Sequence, residues 1–341
     1  MRRPRSATQM HTRMHPQAVP TVHALRTRDA HCVSFTVAGA ADGVPVVVLH
    51  GGPGSGSQPD ATRLFDLTRF KVVQIDQRGT GRSTPRGGVR HNRTDLLIED
   101  IETVRVRLGI KRWGVLGGSW GAALALAYAG RHPQSVTGVV LRGLFLTSAR
   151  EVRGLFVTSR KRAPHAWAKL CAAARCTQPA ELLARCAARL RRGSASDAQQ
   201  RTLALAWRGY ENAVLASAST RRKLVPARSS HKESRKLVDK YRIQAHYLTH
   251  RCWLGETQLL SLARRAAAAG VPIAAVHGSR DPVCPPDNLR RLARAVPAAH
   301  VERVRAGHLA SDPALRERVA DALAAMFLPS THEGRTLRRA A

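Results

Sequence analysis

Hydrophobic residues along the chain recur in two patterns, short continuous runs and a helical spacing. The runs at 44–50 and 136–141 are typical of strands that are buried on both faces of a sheet. Residues 94–109 instead place apolar side chains three or four positions apart, which predicts an amphipathic helix. Its apolar face consists of Leu97, Ile101, Val104 and Leu108. Further strands are predicted at 31–39, 71–75, 112–116, 271–277 and 300–304, and further helices at 120–131, 286–295 and 312–327.

The order of these elements predicts the fold class. Strands and helices alternate at both ends of the chain, which indicates an α/β protein with a mostly parallel central sheet and helices on both faces. Between them, 148–260 is rich in arginine and alanine and lacks strand patterns, so we predict an inserted helical lid. Its helices are expected at 167–176, 179–192 and 199–216. The remaining parts are a flexible basic extension at 1–28, a core at 29–147 and 261–330, and a basic tail at 331–341.

Composition narrows the classes of function. The 341 residues carry 56 Lys and Arg against 23 Asp and Glu, a formal charge of +33, yet aromatic residues make up only 4%. The arginines are spread along the chain rather than gathered into one patch with aromatic residues, so no specific nucleic-acid partner is predicted. No run reaches the length of a membrane span, and no membrane partner is expected. The sequence leaves the oligomeric state open.

The six cysteines indicate a reducing environment rather than a disulfide framework. No apolar segment follows the paired Arg2 and Arg3, so a secretory signal is not expected, and we predict a cytoplasmic protein with free thiols. An organelle transit peptide stays open as an alternative. Cys171, Cys176 and Cys186 lack the close pairing of a metal site and are interpreted as small buried residues.

A G-x-S-x-G pattern at Gly117–Gly121 lies between a predicted strand and a predicted helix. This is the setting of a nucleophile elbow, in which a strained turn exposes the hydroxyl of Ser119 above the sheet. Small neighbours are needed at such a turn, and the helix start directs N–H groups toward a developing oxyanion. We therefore predict that Ser119 is a nucleophile. An idle serine in a glycine-rich turn is the alternative.

A second glycine-rich loop, His50–Gly54, follows the buried strand at 44–50. In a serine hydrolase the loop after this strand supplies one oxyanion donor, and the residue after the nucleophile supplies the other. The predicted oxyanion donors are therefore the backbone N–H groups of Gly52 and Trp120. A phosphate-cradling loop is less well supported, because no Lys-Ser or Lys-Thr pair follows the glycines.

Two further residues follow strands near the C-terminal end. Asp281 comes just after 271–277, and His308 follows Gly307 beyond 300–304. The chain order Ser119, Asp281, His308 is the one expected when each member lies at the carboxyl end of a strand. We predict these three as a catalytic triad. A structural turn before Pro282 is the alternative for Asp281.

These motifs resemble the proline iminopeptidase family of α/β-hydrolases, serine peptidases that remove N-terminal proline. The resemblance covers about 31–330 and rests on His50–Gly54, Asp76–Ser83 and Gly117–Gly121, with further matches at Leu141–Phe145, Gly278–Asp281 and Gly307–His308. It implies an α/β-hydrolase fold, Ser119 as nucleophile, His308 as general base and acid, and Asp281 as its orienting partner. Residues 76–83 are expected to be structural in part.

The resemblance also implies a substrate site in the lid. Residues 206–211 resemble a family segment in which two aromatic residues precede a glutamate, which assigns Trp207, Tyr210 and Glu211 to substrate binding. By this resemblance Glu211 pairs with the substrate amine. A second glutamate is expected in the family at the position of Gln244, so this chain has lost one negative charge there. A surface role is the alternative for Glu211.

The combined prediction is a prolyl aminopeptidase that acts on a small peptide or an amino-acid amide or ester. An esterase or amidase that does not recognise a free amine is the alternative within the same fold, and Gln244 motivates it. A basic nucleic-acid-binding protein with a vestigial hydrolase fold is the alternative from another class. No cofactor or metal is expected, because a triad needs none.

Overall fold

The sheet at the centre of the fold has eight strands. The computed structural model describes residues 20–218 and 230–329. Along the chain the strands are β1 Thr21–Arg26, β2 Cys32–Gly39, β3 Val44–Leu49, β4 Phe70–Ile75, β5 Trp113–Gly118, β6 Val136–Arg142, β7 Ile273–Gly278 and β8 His300–Val304. Their spatial order is β1-β2-β4-β3-β5-β6-β7-β8. Strand β2 pairs antiparallel with β1 and β4, and the six strands from β4 to β8 in the spatial order pair in parallel.

Helices cover both faces of this sheet, as predicted. The ten α-helices of the described ranges are α1 Thr94–Arg107, α2 Trp120–Arg131, α3 Ala149–Arg153, α4 Pro164–Ala174, α5 Leu182–Leu190, α6 Asp197–Ala216, α7 His231–Thr249, α8 Gly255–Ala268, α9 Asp287–Ala295 and α10 Pro313–Phe327. Helices α3 to α7 form the insertion between β6 and β7. None of the helices in the described ranges is both long enough and apolar enough to cross a bilayer.

Successive side chains of each central strand point to opposite faces of the sheet, so the hydrophobic core has two parts. In β3, Val47 and Leu49 pack on the side of α2, whereas Val46 and Val48 pack on the side of α10. Strand residues are therefore apolar on both faces, which is why β3 appears as an unbroken apolar run. Helix α2 is buried almost throughout, because α1 and α8 cover the surfaces that the sheet leaves free.

The predicted strands and helices of the core agree with the structure in type and approximate position, but the start of the chain differs. We predicted a flexible extension over 1–28, but Thr21–Arg26 pairs antiparallel with β2 as an edge strand. Only Leu25 of this strand is buried. Its backbone pairing therefore leaves almost no hydrophobic signature. Residues 1–19 and the tail at 331–341 lie outside the described residues.

Two details of the predicted lid also need correction. Helix α7 is nineteen residues long and was not among the three predicted helices. The predicted boundary at 260 falls inside α8, which packs along α2 and thus belongs to the helical layer of the core. The predicted helices at 167–176, 179–192 and 199–216 correspond to α4, α5 and α6.

The interpretation of the cysteines agrees with the structure. All six thiols are free, and Cys171, Cys176 and Cys186 are buried in the helical insertion. Burial raises the pKa of the Cys171 thiol to about 11, and that of Cys186 is raised still further. Thiols with raised pKa values are protonated and unreactive near neutral pH.

Candidate active site

Ser119 lies on a strained turn between β5 and α2. Its φ of 57° and ψ of −120° are unfavourable for a residue with a side chain. The turn is held by a bond from the Ser119 N–H to the carbonyl of Arg142, 2.8 Å away on β6. Backbone strain of this kind persists where the surrounding structure enforces it, and it occurs often at active sites.

The glycines of the elbow are required by close packing. A Cβ on Gly121 would overlap the carbonyl of Leu49, and a Cβ on Gly117 would overlap the carbonyl of Gly121. Helix α2 therefore starts in direct backbone contact with the end of β3. This contact brings the nucleophile turn beside the glycine-rich loop that follows β3.

Asp281 and His308 meet beside this turn, as their positions after β7 and β8 predicted. His308 Nδ1 lies 2.6 Å from Asp281 Oδ2. The other carboxylate oxygen accepts backbone N–H bonds from Val283 at 2.8 Å and Cys284 at 2.9 Å. The carboxylate is thus fixed from both sides, and it holds the imidazole with Nε2 available for a proton.

The surroundings of Asp281 keep it ionised. Burial alone would raise its pKa, but the charge of His308 and hydrogen bonds from His277 and His308 outweigh this and hold the pKa well below its usual range. His277 Nε2 lies 3.4 Å from Asp281 Oδ2 and 3.0 Å from the carbonyl of Cys284. We predicted only a strand residue at 277, and its fully buried side chain turns out to support the aspartate.

The loop after β3 is positioned by a network around His50. Its Nδ1 donates to the carbonyl of Gly51 over 2.9 Å, and its Nε2 accepts the backbone N–H of Gln77 over 3.1 Å. The side chain of Gln77 in turn bonds the carbonyl of His50 and the indole of Trp120. Burial lowers the pKa of His50, which favours the neutral ring that this network needs.

The two predicted oxyanion donors lie at the ends of this network. Trp120 is the first residue of α2, so its backbone N–H has no carbonyl partner in the preceding turn of helix. Gly52 has a φ of 119°, a conformation open to glycine, and its loop packs directly on Ser119 through Gly51. The predicted structural role of 76–83 agrees with the contacts of Asp76, which accepts the N–H groups of Ser57 and Arg82 at 2.8 Å.

Ser119 and His308 line the same cavity, but they share no hydrogen bond within the described ranges. Cys284 lies close to both of them. Its Sγ is within 4.8 Å of the ligand atoms of Asp281 and His308, and the hydroxyl of Ser119 is near enough to affect its pKa. Burial outweighs that effect and raises the pKa of the thiol. Catalytic hydrogen bonds often tighten only when substrate binds, so the lack of a Ser119–His308 bond is compatible with a triad.

Two further residues support the loop of His308 and were not predicted. The buried guanidinium of Arg142 donates to the carbonyl of His308 over 2.5 Å. Asp312 is the N-cap residue of α10, but its side chain accepts the N–H of Gly307 rather than an N–H of the helix. Sequence alone shows neither contact, because both depend on how loops after different strands meet.

The four predicted substrate-binding residues line the cavity that also holds the nucleophile. Trp207 is 1% exposed and stacks on Tyr241 with ring centroids 4.8 Å apart. Tyr210 donates its hydroxyl to the carbonyl of Leu155 over 2.7 Å. Glu211 and Gln244 are joined by a 2.7 Å bond from Gln244 Nε2 to Glu211 Oε1. The insertion thus contributes all four to the cavity of about 670 Å³ that Ser119 and His308 also line.

Asp281, Cys284 and His308 form the one group of three possible metal ligands in residues 20–218 and 230–329. His308 and Asp281 are joined by a short hydrogen bond, and the thiol of Cys284 is fully buried. These contacts are typical of a hydrogen-bonded Asp–His pair beside a protonated cysteine. Our expectation that no metal or cofactor takes part stays a prediction.

A strained serine, a buried Asp–His pair and a glycine-rich loop on one sheet edge define a serine hydrolase with the α/β-hydrolase fold. Comparison with protein families agrees, since the α/β hydrolase fold family matches residues 44–314. The chain belongs, more narrowly, to the proline iminopeptidase family of these hydrolases. This confirms the family that the motifs indicated.

The curated relatives match nearly their whole length. The proline iminopeptidase of Xylella fastidiosa (strain Temecula1 / ATCC 700964) is 36% identical over 304 residues, which cover 88% of this chain and 95% of the relative. That of Neisseria gonorrhoeae is 33% identical over 313 residues, with 88% and 94% covered.

Solved structures support the fold alone. A proline iminopeptidase-related protein from Thermus thermophilus aligns with a TM-score of 0.56 at 22% identity, covering 91% of this chain and 99% of that one. An esterase from Rhodococcus sp. ECU1013 aligns with a TM-score of 0.57 at 18% identity, covering 89% and 98%. Peptidase-related and esterase structures resemble this one equally well, so the choice between these activities depends on the substrate site.

Proposed function

We propose that this protein is a prolyl aminopeptidase, which releases N-terminal proline from short peptides by an acyl-enzyme mechanism. The observation that carries the proposal is the 2.6 Å contact between His308 and Asp281, beside the cavity shared by Ser119 and Glu211. The curated relatives named proline iminopeptidase support the choice of substrate.

In the acylation step, Ser119 Oγ attacks the carbonyl carbon of the N-terminal residue, and its proton passes to His308 Nε2. The negative charge on the tetrahedral oxygen is stabilised by the N–H groups of Gly52 and Trp120. The ionised Asp281 stabilises the imidazolium through Nδ1. His308 then gives the proton to the departing amine as the C–N bond breaks.

Deacylation repeats the same steps with water. His308 Nε2 takes a proton from a water molecule, whose oxygen attacks the ester carbonyl, and the proton returns to Ser119 as proline leaves. The side chains of the triad and one water molecule therefore account for every proton in the cycle.

The insertion explains why only one residue would be removed at a time. Trp207, Tyr210 and Glu211 line the same cavity as Ser119, so the acyl part of a substrate would lie within reach of the insertion. A carboxylate at that end favours a charged amine within reach of the scissile bond. An N-terminal residue fits these requirements, with the rest of the peptide leaving through the open side.

A second candidate is an esterase or amidase without recognition of a free amine. It is favoured by Gln244, a neutral side chain that donates to Glu211 where the family resemblance implies a second carboxylate. The two candidates share the triad and differ only in what the lid contacts.

A three-substrate panel separates the candidates. We expect the enzyme to hydrolyse proline p-nitroanilide with a kcat/KM about tenfold above that for the N-acetylated anilide. The reference substrate is p-nitrophenyl acetate. Equal kcat/KM values for free and acetylated proline, together with ester hydrolysis, would instead establish the second candidate.

Restoring the missing carboxylate tests the same site. Gln244→Glu should lower KM several-fold for the free-proline substrate and leave that for the acetylated substrate unchanged, because only the former is a cation. Gln258→Glu, on the exposed side of α8, makes the same charge change away from the cavity and is the control. An unchanged KM for proline p-nitroanilide in Gln244→Glu would mean that this position does not contact the amine.

A further inference from the structure

The carboxylate of Glu211 is already surrounded by hydrogen-bond donors of the chain itself. Lys240 Nζ lies 3.0 Å from Oε2, and the hydroxyl of Tyr241 donates to the same oxygen over 2.9 Å. Gln244 Nε2 donates to Oε1 over 2.7 Å. A carboxylate has about four lone-pair positions, and three are occupied here. Little acceptor capacity is left for a substrate amine.

Lys240 is held in this place by more than its charge. Its Nζ lies 4.6 Å from the centroid of the Tyr241 ring, a cation–π distance, and Tyr241 is fixed by stacking on Trp207. The backbone of Lys240 touches the loop after β3, where a Cβ on Gly54 would overlap its carbonyl. The lysine therefore lies where α7 of the lid contacts the loop that carries Gly52.

The ion pair of Lys240 and Glu211 nevertheless faces the cavity. Lys240, Glu211 and Gln244 all line it, and the side chains of Lys240 and Glu211 are 25% and 27% exposed. A ligand can therefore reach the pair without unfolding the lid. The remaining oxygen of Gln244, Oε1, is buried and has no hydrogen-bond partner in the described ranges, so one acceptor stays unused next to the pair.

We propose that Lys240 is a specificity-determining residue, an internal cation that occupies the amine subsite and lowers the affinity for substrates with a charged N-terminus. This inference rests on the proposed function in one respect, the role of Glu211 as the group that faces the substrate amine. The Glu211–Lys240 pair has no net charge, whereas a free carboxylate would attract an ammonium group strongly in a partly desolvated site. An incoming amine must therefore displace the lysine or share the carboxylate with it.

Binding to inactive protein tests the inference without turnover. In a Ser119→Ala background, isothermal titration calorimetry compares L-prolinamide, a cation, with N-acetyl-L-prolinamide, which is neutral. Adding Lys240→Met should tighten prolinamide binding about tenfold, as expected when a competing charge is removed from a partly exposed carboxylate. The affinity for N-acetylprolinamide should change less than about twofold, because it makes no charge pair there.

Three further variants serve as controls. They distinguish competition between Lys240 and the substrate amine from a general effect of net charge and from loss of folding. Lys236→Met removes the same charge one turn earlier on α7, where the side chain is exposed, and should leave both affinities unchanged. Lys240→Arg keeps the cation and should bind prolinamide as the parent does. Lys240→Gln removes the charge but keeps a polar side chain, and it replaces Lys240→Met if the latter unfolds.

An unchanged or weaker affinity for prolinamide in the folded Lys240→Met or Lys240→Gln protein would overturn the inference. It would mean that the lysine positions Glu211 for the amine instead of competing with it. Failure of the proposed function has a different signature, because active wild-type enzyme would then hydrolyse p-nitrophenyl acetate without releasing proline from its anilide.

Discussion

At the scale of single residues, the carboxylate of Asp281 connects the backbone to the imidazole. One oxygen accepts two N–H groups of the loop after β7, and the other faces His308 Nδ1. The two oxygens therefore have separable roles: one fixes the loop, and the other fixes the tautomer of the histidine. A substitution that changes only the second role tests the proposed proton path.

Asp281→Asn is such a substitution. The amide oxygen can still accept the backbone N–H groups, but the amide nitrogen would donate to His308 Nδ1 and force the proton onto Nε2. The wrong tautomer cannot accept the serine proton, so kcat for proline p-nitroanilide should fall about 10⁴-fold. Steady-state kinetics measures this, and the melting temperature should change little.

Asp287→Asn is the matched control, because Asp287 lies at the surface end of α9 and forms an ion pair with the neighbouring Arg290, away from the triad. Its kinetics should equal those of the wild type. A loss of less than about tenfold in Asp281→Asn would contradict the role given to this carboxylate.

The residues that could be predicted share one property, their position in the chain. Ser119, Asp281 and His308 each follow a strand and are flanked by glycine or a turn, so sequence order alone places them on one edge of the sheet. Cys284, Arg142 and Lys240 have no such signature. Their roles arise from contacts between segments that are far apart in sequence, and these contacts are determined only once the loops and lid have packed.

At the scale of elements, helices α1 and α2 are joined by a half-buried polar contact. Glu102 on α1 accepts hydrogen bonds from Arg105 and from the hydroxyl of Tyr128 on α2, at 2.6 and 2.7 Å. It also accepts a 3.0 Å bond from Ser135. Burial alone would raise the pKa of Glu102, but these hydrogen bonds outweigh it and lower the pKa from 4.5 to about 2.

The sign of this shift predicts an acid-sensitive contribution to stability. A carboxyl group with a lowered pKa stabilises the folded state above its unfolded pKa of 4.5, and the contribution is lost as the pH falls toward about 2. Wild type should therefore melt about 2 °C or more above Glu102→Gln near neutral pH, and the difference should shrink as the pH falls below about 4.

Differential scanning calorimetry across this pH range measures the effect. Glu99→Gln, at an exposed position of the same helix, serves as the control and should lower the melting temperature much less. A difference between wild type and Glu102→Gln that is constant with pH would show that the carboxylate contributes through packing rather than through its charge.

Elements with a hydrophobic signature were predictable, and the others were not. The central strands appear as apolar runs because both of their faces are covered, and α1 shows its apolar stripe. Strand β1 exposes five of its six side chains, so only backbone pairing defines it. Helix α7 is mostly polar in sequence, and its buried face includes polar side chains such as Gln244, which periodicity does not detect.

At the scale of the whole molecule, the fold brings distant segments to one edge. The strained turn after β5, the loops after β3, β7 and β8, and two helices of the insertion surround one cavity. The expectation that the charge of +33 recruits no specific nucleic acid stays a prediction. The assembled site is thus the property of the whole chain on which the proposed activity depends.

The hydrolysis of proline p-nitroanilide by wild type and by Ser119→Ala tests this account most directly. Loss of the nucleophile should lower kcat by about 10⁴-fold or more while the melting temperature and circular dichroism stay unchanged, because only one oxygen atom is removed. A folded Ser119→Ala protein that releases proline at the wild-type rate would contradict the mechanism.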